Sequence, residues 1–466
     1  MNASTRRTFM RAGLAAAAAP LALAQRRRDV ITKNVLFLVV DDLRPMLGCY
    51  GHPDAVTPHI DALAKRGLTF LNNHCQIASD GPSRQSLFTG LRPDTIDVVD
   101  DATTFRRRRP DARTLPQYFR QNGYYAAAVG PVLDDSQSWN EGDTRPVEAS
   151  LTRSWNSSDV SDADLFDGQT AQRAIAVIER LAGRKFFLAV GLQRPSLPFA
   201  APQSYFNLYP RGYIKALTEP APKGAPAHAM HDSAELHRFG DVPEMLDAEL
   251  SRDLVRAYLA SVSYVDAQVG LILSALEQQG LRDSTAIVLT SDNGFHLGEF
   301  GLWGKHTNFE LATRTPLIVS SLGLKSGGRK SRALTELVDV YPTLCEIAGL
   351  RTPGDLDGAS LASLFENPDQ LWKRAVFSQH PREIPGLGPG MGYSMRTSRY
   401  RYTEWGAFDS PYRTAELYDY KGQPLEIENL ANVPVAKTLA NGIAAIMREG
   451  WRGSLPPTDP RASANS

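Results

Sequence analysis

Two places in this 466-residue chain put hard-metal chemistry into adjacent side chains. Asp41-Asp42 follows the apolar run Asn34-Val35-Leu36-Phe37-Leu38-Val39-Val40, and Asp292-Asn293 sits in Thr290-Ser291-Asp292-Asn293-Gly294 after a second apolar run. Adjacent carboxylates at a strand end repel unless a positive charge lies between them. A divalent oxygen-seeking cation, Mg²⁺ or Ca²⁺, fills that role with carboxylate and amide oxygens. The alternative is a solvated Asp-Asp turn and an ordinary Asp-Asn-Gly turn. Soft metals are disfavoured, because the three cysteines (Cys49, Cys75, Cys345) and the histidines lack ligand spacing. The cysteines read as free, mostly buried thiols.

The positioning elements follow from hydrophobic patterning. A continuous apolar run such as 34–40 predicts a central parallel strand covered on both faces. Residues 124–129, 186–190, 286–290 and 316–320 predict further buried strands. Helices are expected at 59–66 and, longest, at 248–279, where Leu254, Tyr258, Val262, Val265, Val269 and Ile272 share a stripe. The alternation predicts an α/β fold: a mainly parallel sheet flanked by helices, with ligands at the carboxyl ends of the strands. From about residue 371 short aromatic strand-like pieces take over, predicting a smaller C-terminal α+β subdomain over 371–466 after a main domain over 25–370. The stretch 219–239, rich in Pro, Ala and His, reads as a surface excursion, and Arg106 to Arg109 as a solvated basic loop.

Composition narrows the function classes. The chain is 42% hydrophobic and 22% charged with net charge +0, an ordinary globular profile that gives no argument for a nucleic-acid partner. Arg6-Arg7 ahead of the apolar run 12–24 and Ala22-Leu23-Ala24 resembles a twin-arginine export signal over residues 1–24, which implies a periplasmic or secreted protein. No later segment is expected to span a membrane. Oligomeric state is not indicated.

A third motif, Ser79-Asp80-Gly81-Pro82-Ser83-Arg84 leading to Thr89-Gly90, resembles the type I sulfatase signature C/S-x-P-x-R, except that Asp80 stands where the Cys or Ser is oxidised to formylglycine. Val39 to Pro45, Thr57-Pro58-His59, Leu87 to Thr95, Ala260 to Asp266, Gly298-Glu299-Phe300-Gly301, Trp303-Gly304-Lys305, Met395-Arg396-Thr397 and Glu416-Leu417-Tyr418-Asp419 are similar to the iduronate-2-sulfatase-like branch. The resemblance implies an alkaline-phosphatase-like fold. It implies one Ca²⁺, with Mg²⁺ as the alternative, held by Asp41, Asp42, Asp292, Asn293 and the nucleophile position Asp80. Arg84 would bind the nucleophile's oxygen, and Lys305 a sulfate oxygen of a sulfated sugar.

The departures from the family gather at the chemistry. Beyond Asp80, Pro131 replaces a signature Lys, and Asp134 and Ser196 fall at expected His positions. A carboxylate suits a cation but is a poor substitute for a hydrated aldehyde, and it repels sulfate by about 4 kcal/mol at 4 Å for an effective dielectric near 20. Three functions are therefore compatible with the residues: a pseudoenzyme binding Ca²⁺ and a sulfated glycan, a hydrolase using an altered mechanism, and a structural scaffold. His296, His306 and His380 are the histidines available to refill the pocket.

Overall fold

The computed structural model describes residues 34–144, 152–321, 324–325, 327–457 and 459–462. The export signal expected over residues 1–24 lies outside these residues.

The central sheet has eight strands. In chain order they are β1 (Asn34–Val40), β2 (Leu68–His74), β3 (Tyr125–Val129), β4 (Glu141–Asp143), β5 (Phe186–Leu192), β6 (Thr285–Ser291), β7 (Arg314–Ser320) and β8 (Lys330–Glu336), and in space they run β8-β2-β7-β6-β1-β5-β3-β4. All neighbours are parallel except β7, which is antiparallel to both β2 and β6. The five strands expected from apolar runs are present. β2 and β8 escape that reading because their sequences, LTFLNNH and KSRALTE, mix polar residues into the run. In β2 the buried Asn73 has a partner: its Nδ2 donates to Thr315 Oγ1 of β7 at 2.7 Å.

Every residue of β1, β5 and β6 is buried, as expected for strands with helices on both faces. One apolar core lies on each face of the sheet, with Leu36, Leu38 and Val40 facing one way and Val35, Phe37 and Val39 the other. The helices that concern the site are α1 (Pro58–Arg66), α2 (Asp80–Thr89) and α3 (Ala248–Gln278). By length and composition α3 could cross a membrane, contrary to the expectation that no segment would. However, 72% of its apolar window is buried inside the fold, where it contacts α1, so it is a core helix.

A four-stranded antiparallel sheet follows: β9 (Ala375–Ile384), β10 (Gly388–Thr397), β11 (Tyr400–Ala407) and β12 (Arg413–Asp419), covered by α4 (Lys437–Glu449). Its first strand is tied to the main sheet where Gln379 N donates to Gln76 O at 2.8 Å and Ser378 Oγ to Cys75 O at 2.6 Å. The three cysteines are free, with Cys75 and Cys345 buried.

Candidate functional site

Register places the acids. β1 pairs with β5 and β6 so that Val40 lies beside both Leu192 and Ser291. The next residues of three parallel strands therefore emerge together: Asp41-Asp42, Asp292-Asn293 and Gln193-Arg194. Asp42 adopts a left-handed backbone (φ 57°) that turns the chain sharply after β1. Its carbonyl accepts from Tyr258 of α3 at 2.7 Å, and its N–H donates to Asp292 Oδ1 at 3.2 Å.

Helix α2 closes the site from above. Ser79 caps it in extended backbone, and it ends at Gly90, whose φ of 69° suits a glycine. Asp80 is therefore in the first turn, where the helix dipole favours an anion. One turn on, Arg84 bridges two strand ends, with Nη2 on Asp41 Oδ1 at 2.6 Å and Nε on Asp292 Oδ2 at 2.9 Å. Ser83 Oγ donates to the Asp292 carbonyl at 2.5 Å. The signature helix is thus clamped to β1 and β6 by its own motif residues.

Lys305 occupies the centre. Its ammonium, 3% exposed, reaches Asp42 Oδ1 and Oδ2 at 2.9 and 3.0 Å, Asp80 Oδ2 at 3.0 Å and Glu235 Oε1 at 3.3 Å. Three carboxylates engage its three N–H groups, so it has no donor left over for a sulfate oxygen, the role the family pattern implies.

The charges do not balance. Asp41, Asp42, Asp80, Asp292 and Glu235 face Arg84, Lys305 and Arg194, the last close enough to Asp41 and Asp42 to act on their charge. Fully ionised, this cluster keeps two uncompensated negative charges. Burial pushes the carboxyls of Asp42 and Asp292 up to about 6 against the pull of Lys305 and Arg84, and Asp41 is also raised, again chiefly by burial. Asp80 is half-buried, and Lys305 and Arg84 outweigh its desolvation and hold it below the usual carboxylate range, so it stays charged. Ligand oxygens of Asp42, Asp80 and Asp292 come within 4.8 Å of one another. Asn293 Oδ1 is buried without a hydrogen-bond partner, while its Nδ2 donates to Asp42 Oδ1 at 2.6 Å. Three hard oxygens, an orphaned amide oxygen and a deficit of two positive charges fit a divalent cation. Asp41 is adjacent, with Oδ1 on Arg84.

Above this floor opens a cleft of about 610 Å³. Asp80 and Lys305 form its base, and His231, Glu235, His306, His380 and Arg382 stand among its walls. The stretch read as a surface excursion, 219–239, therefore builds the site: Leu236 and Ala229 are buried, and Glu235 grips Lys305. Its lack of period hid it. Of the three histidines available to refill the pocket, His306 and His380 line the cleft. His296 is fully buried and shares a hydrogen bond with Thr307. His231 was not foreseen. Burial pulls His231 and His306 down to about 4, so both are neutral bases at pH 7.

Asp134 is exposed and accepts from Thr144, Pro131 is buried, and Ser196 is half-buried with its carbonyl taken by Arg194 Nη1 at 2.8 Å. The arginine run is not a free basic loop. It forms a short helix, Phe105–Arg108, in which Arg106 binds Asp135 at 2.7 Å and Arg108 binds Asp97 at 3.3 Å, and beyond it Arg109 binds Asp111 at 3.2 Å.

Comparison with known proteins agrees with this geometry. The computed structure is similar to the phosphonate monoester hydrolase from Silicibacter pomeroyi (TM-score 0.77, 22% identity, 91% of this chain and 96% of that one). It is also similar to the protein BT4656 in complex with its substrate D-glucosamine-2-N,6-O-disulfate (TM-score 0.75, 22% identity, 93% and 99%). At such identity these establish the fold. In sequence the chain is 33% identical to human (Homo sapiens) iduronate 2-sulfatase, over 86% of this chain and 91% of that protein, and 28% identical to a sulfatase of Formosa agariphila, over 91% and 88%. The model of the N-sulphoglucosamine sulphohydrolase C-terminal domain matches residues 298–450. The sulfatase family model matches residues 33–350, which carry the acidic floor, the signature helix and Lys305, and on that footing the chain belongs to the sulfatase family.

Proposed function

We propose that this protein holds a divalent cation, Ca²⁺ in preference to Mg²⁺, on Asp41, Asp42, Asp80, Asp292 and Asn293, and binds a sulfated sugar in the cleft above without formylglycine catalysis. One observation carries this reading: the charged Asp80 carboxylate occupies the nucleophile position and engages Lys305 at 2.9 Å. A cation there would offset the anionic floor and polarise a sulfate oxygen, while Arg382 on the wall supplies positive charge to the ligand. The one-third identity to an iduronate 2-sulfatase supports a sulfated uronic-acid-containing glycan as the ligand class.

The test pairs turnover with binding. Purified protein with Ca²⁺ is expected to bind heparin-derived oligosaccharides by calorimetry and to release sulfate from them, or from an aryl sulfate, no faster than an Asp41→Ala control. Sulfate release well above that control would overturn the reading. It would favour a second one, a hydrolase with a metal-activated water, for which the neutral bases His231 and His306 in the walls of the cleft are the supporting observation.

The leader over residues 1–24 would carry the folded protein through twin-arginine export to the periplasm. Replacing Arg6-Arg7 by Lys-Lys is expected to hold the chain in the cytoplasm of a bacterial host, and undiminished export would remove that step.

A further inference from the structure

A second cavity, of about 300 Å³, lies where the C-terminal sheet meets the main domain. It is separate from the acidic cleft. His380 of β9 lines the cleft, while its neighbour Gln379 lines this cavity, as alternation along a strand requires. Phe377 and Trp451 form apolar walls. They also flank the Arg92 guanidinium, whose Nη2 is taken by both oxygens of Glu336 at 2.8 and 2.7 Å. Its Nη2 is thus committed to Glu336 although its Nε has no hydrogen-bond partner, and Arg448 and Glu404 also line the cavity. Tyr393 adds a partly exposed ring, and Asp94 accepts from Gln379 Nε2 at 2.8 Å.

Gln76 makes the cavity informative. It lines the cavity and is 1% exposed, yet neither its amide oxygen nor its amide nitrogen has a hydrogen-bond partner. A buried primary amide left unpaired at both ends is costly, and such groups are normally satisfied. The missing partner must donate and accept along one edge while presenting an apolar face to the aromatic rings. A pyranose does both: its hydroxyls donate and accept, and its axial C–H groups form an apolar face. With Arg92 held by Glu336, the other charged lining residues are Arg448 against Asp94 and Glu404, which gives a sulfated or carboxylated sugar no net attraction. We propose that this cavity is a binding site for an uncharged pyranose unit, with Gln76 and Asp94 reading its hydroxyls and Trp451 and Phe377 covering its C–H face.

The experiment is saturation-transfer NMR on the full protein, without added metal, using methyl galactoside, methyl glucoside and N-acetylglucosamine as probes. Transfer to the ring protons of at least one probe is expected. It should fall at least fivefold in Gln76→Leu, which keeps the volume and removes the amide, and also in Trp451→Ala. It should persist in Asp80→Asn, which alters only the cleft. No transfer to any probe would overturn the proposal, as would transfer undiminished in Trp451→Ala or lost in Asp80→Asn. Because the readout needs neither Ca²⁺ nor a sulfated ligand, its failure is distinguishable from failure of the function proposed for the cleft.

Discussion

Two buried ionic clusters in this protein use the same residue types to opposite ends. In one, Lys373 binds Glu336 at 2.7 Å and Asp339 at 2.6 Å, while Arg92 closes on Glu336. Two acids face two bases. Burial raises the Glu336 carboxyl, but Arg92 and Lys373 outweigh it and hold the group at about 2, whereas at Asp339 burial prevails over Lys373 and the carboxyl is raised. Its remaining capacity goes to backbone: Phe377 N donates to Glu336 and Ala359 N to Asp339, at 2.9 and 2.8 Å. In the other, at the ends of β1, β5 and β6, the acids outnumber the bases by two, and burial wins at Asp41, Asp42 and Asp292. A balanced cluster is finished by the chain itself and joins elements. An unbalanced one is finished only by something the chain does not encode. Net charge, not the presence of buried ions, marks the functional cluster.

The contrast is broken most severely at the balanced cluster. Lys373→Met leaves Glu336 and Asp339 buried with one partner fewer, and removing one member of such a network costs about 3–5 kcal/mol. The stability loss, read by urea or thermal unfolding, is expected to be the same with and without Ca²⁺. A loss that Ca²⁺ reverses would mean that the two clusters are not independent.

Asp292→Asn should do the reverse. It removes one anion from the crowded floor while keeping the shape, so the metal-free protein is expected to unfold within a few degrees of the parent. The Ca²⁺ increment should go. For a parent at a hundred times its dissociation constant that increment is about 2.7 kcal/mol, roughly 3 °C for a chain of this size. An increment retained in Asp292→Asn would take Asp292 out of the cation site.

Legibility in the sequence divides along the same line. The floor could be read because Asp41-Asp42 and Asp292-Asn293 end runs of apolar residues, and parallel register then brings those ends together without further information. The signature helix could be read because Pro82, Arg84 and Gly90 are local. The walls could not. His231 and Glu235 come from an aperiodic stretch, and His380 and Arg382 from a strand of the other sheet; they meet at Lys305 only through tertiary packing. Arg194 was visible only as the neighbour of a missing histidine, yet register places it beside the acids. That Lys305 meets a third carboxylate, Glu235, was hidden for the same reason, since Glu235 lies in that unread stretch.

The remaining expected effect concerns protons. At the floor, Asp42 and Asp292 titrate near 6 in the metal-free fold against 3.8 when unfolded, so between those values the folded state binds more protons. Their contribution to stability is therefore present below about pH 4 and lost as pH rises through 6. His231 and His306 act in the opposite sense, since their depressed values favour the unfolded state as pH falls from 6.5 towards 4. The two partly cancel in the metal-free protein, so the discriminating quantity is the Ca²⁺ increment alone. A cation must displace the protons from both Asp42 and Asp292, so its apparent affinity should fall about a hundredfold between pH 7 and pH 5, or about 2.7 kcal/mol. Calorimetric titration of Ca²⁺ at the two pH values reads this directly, and an affinity independent of pH would show that the carboxyls held near 6 by burial are not the groups that meet the cation.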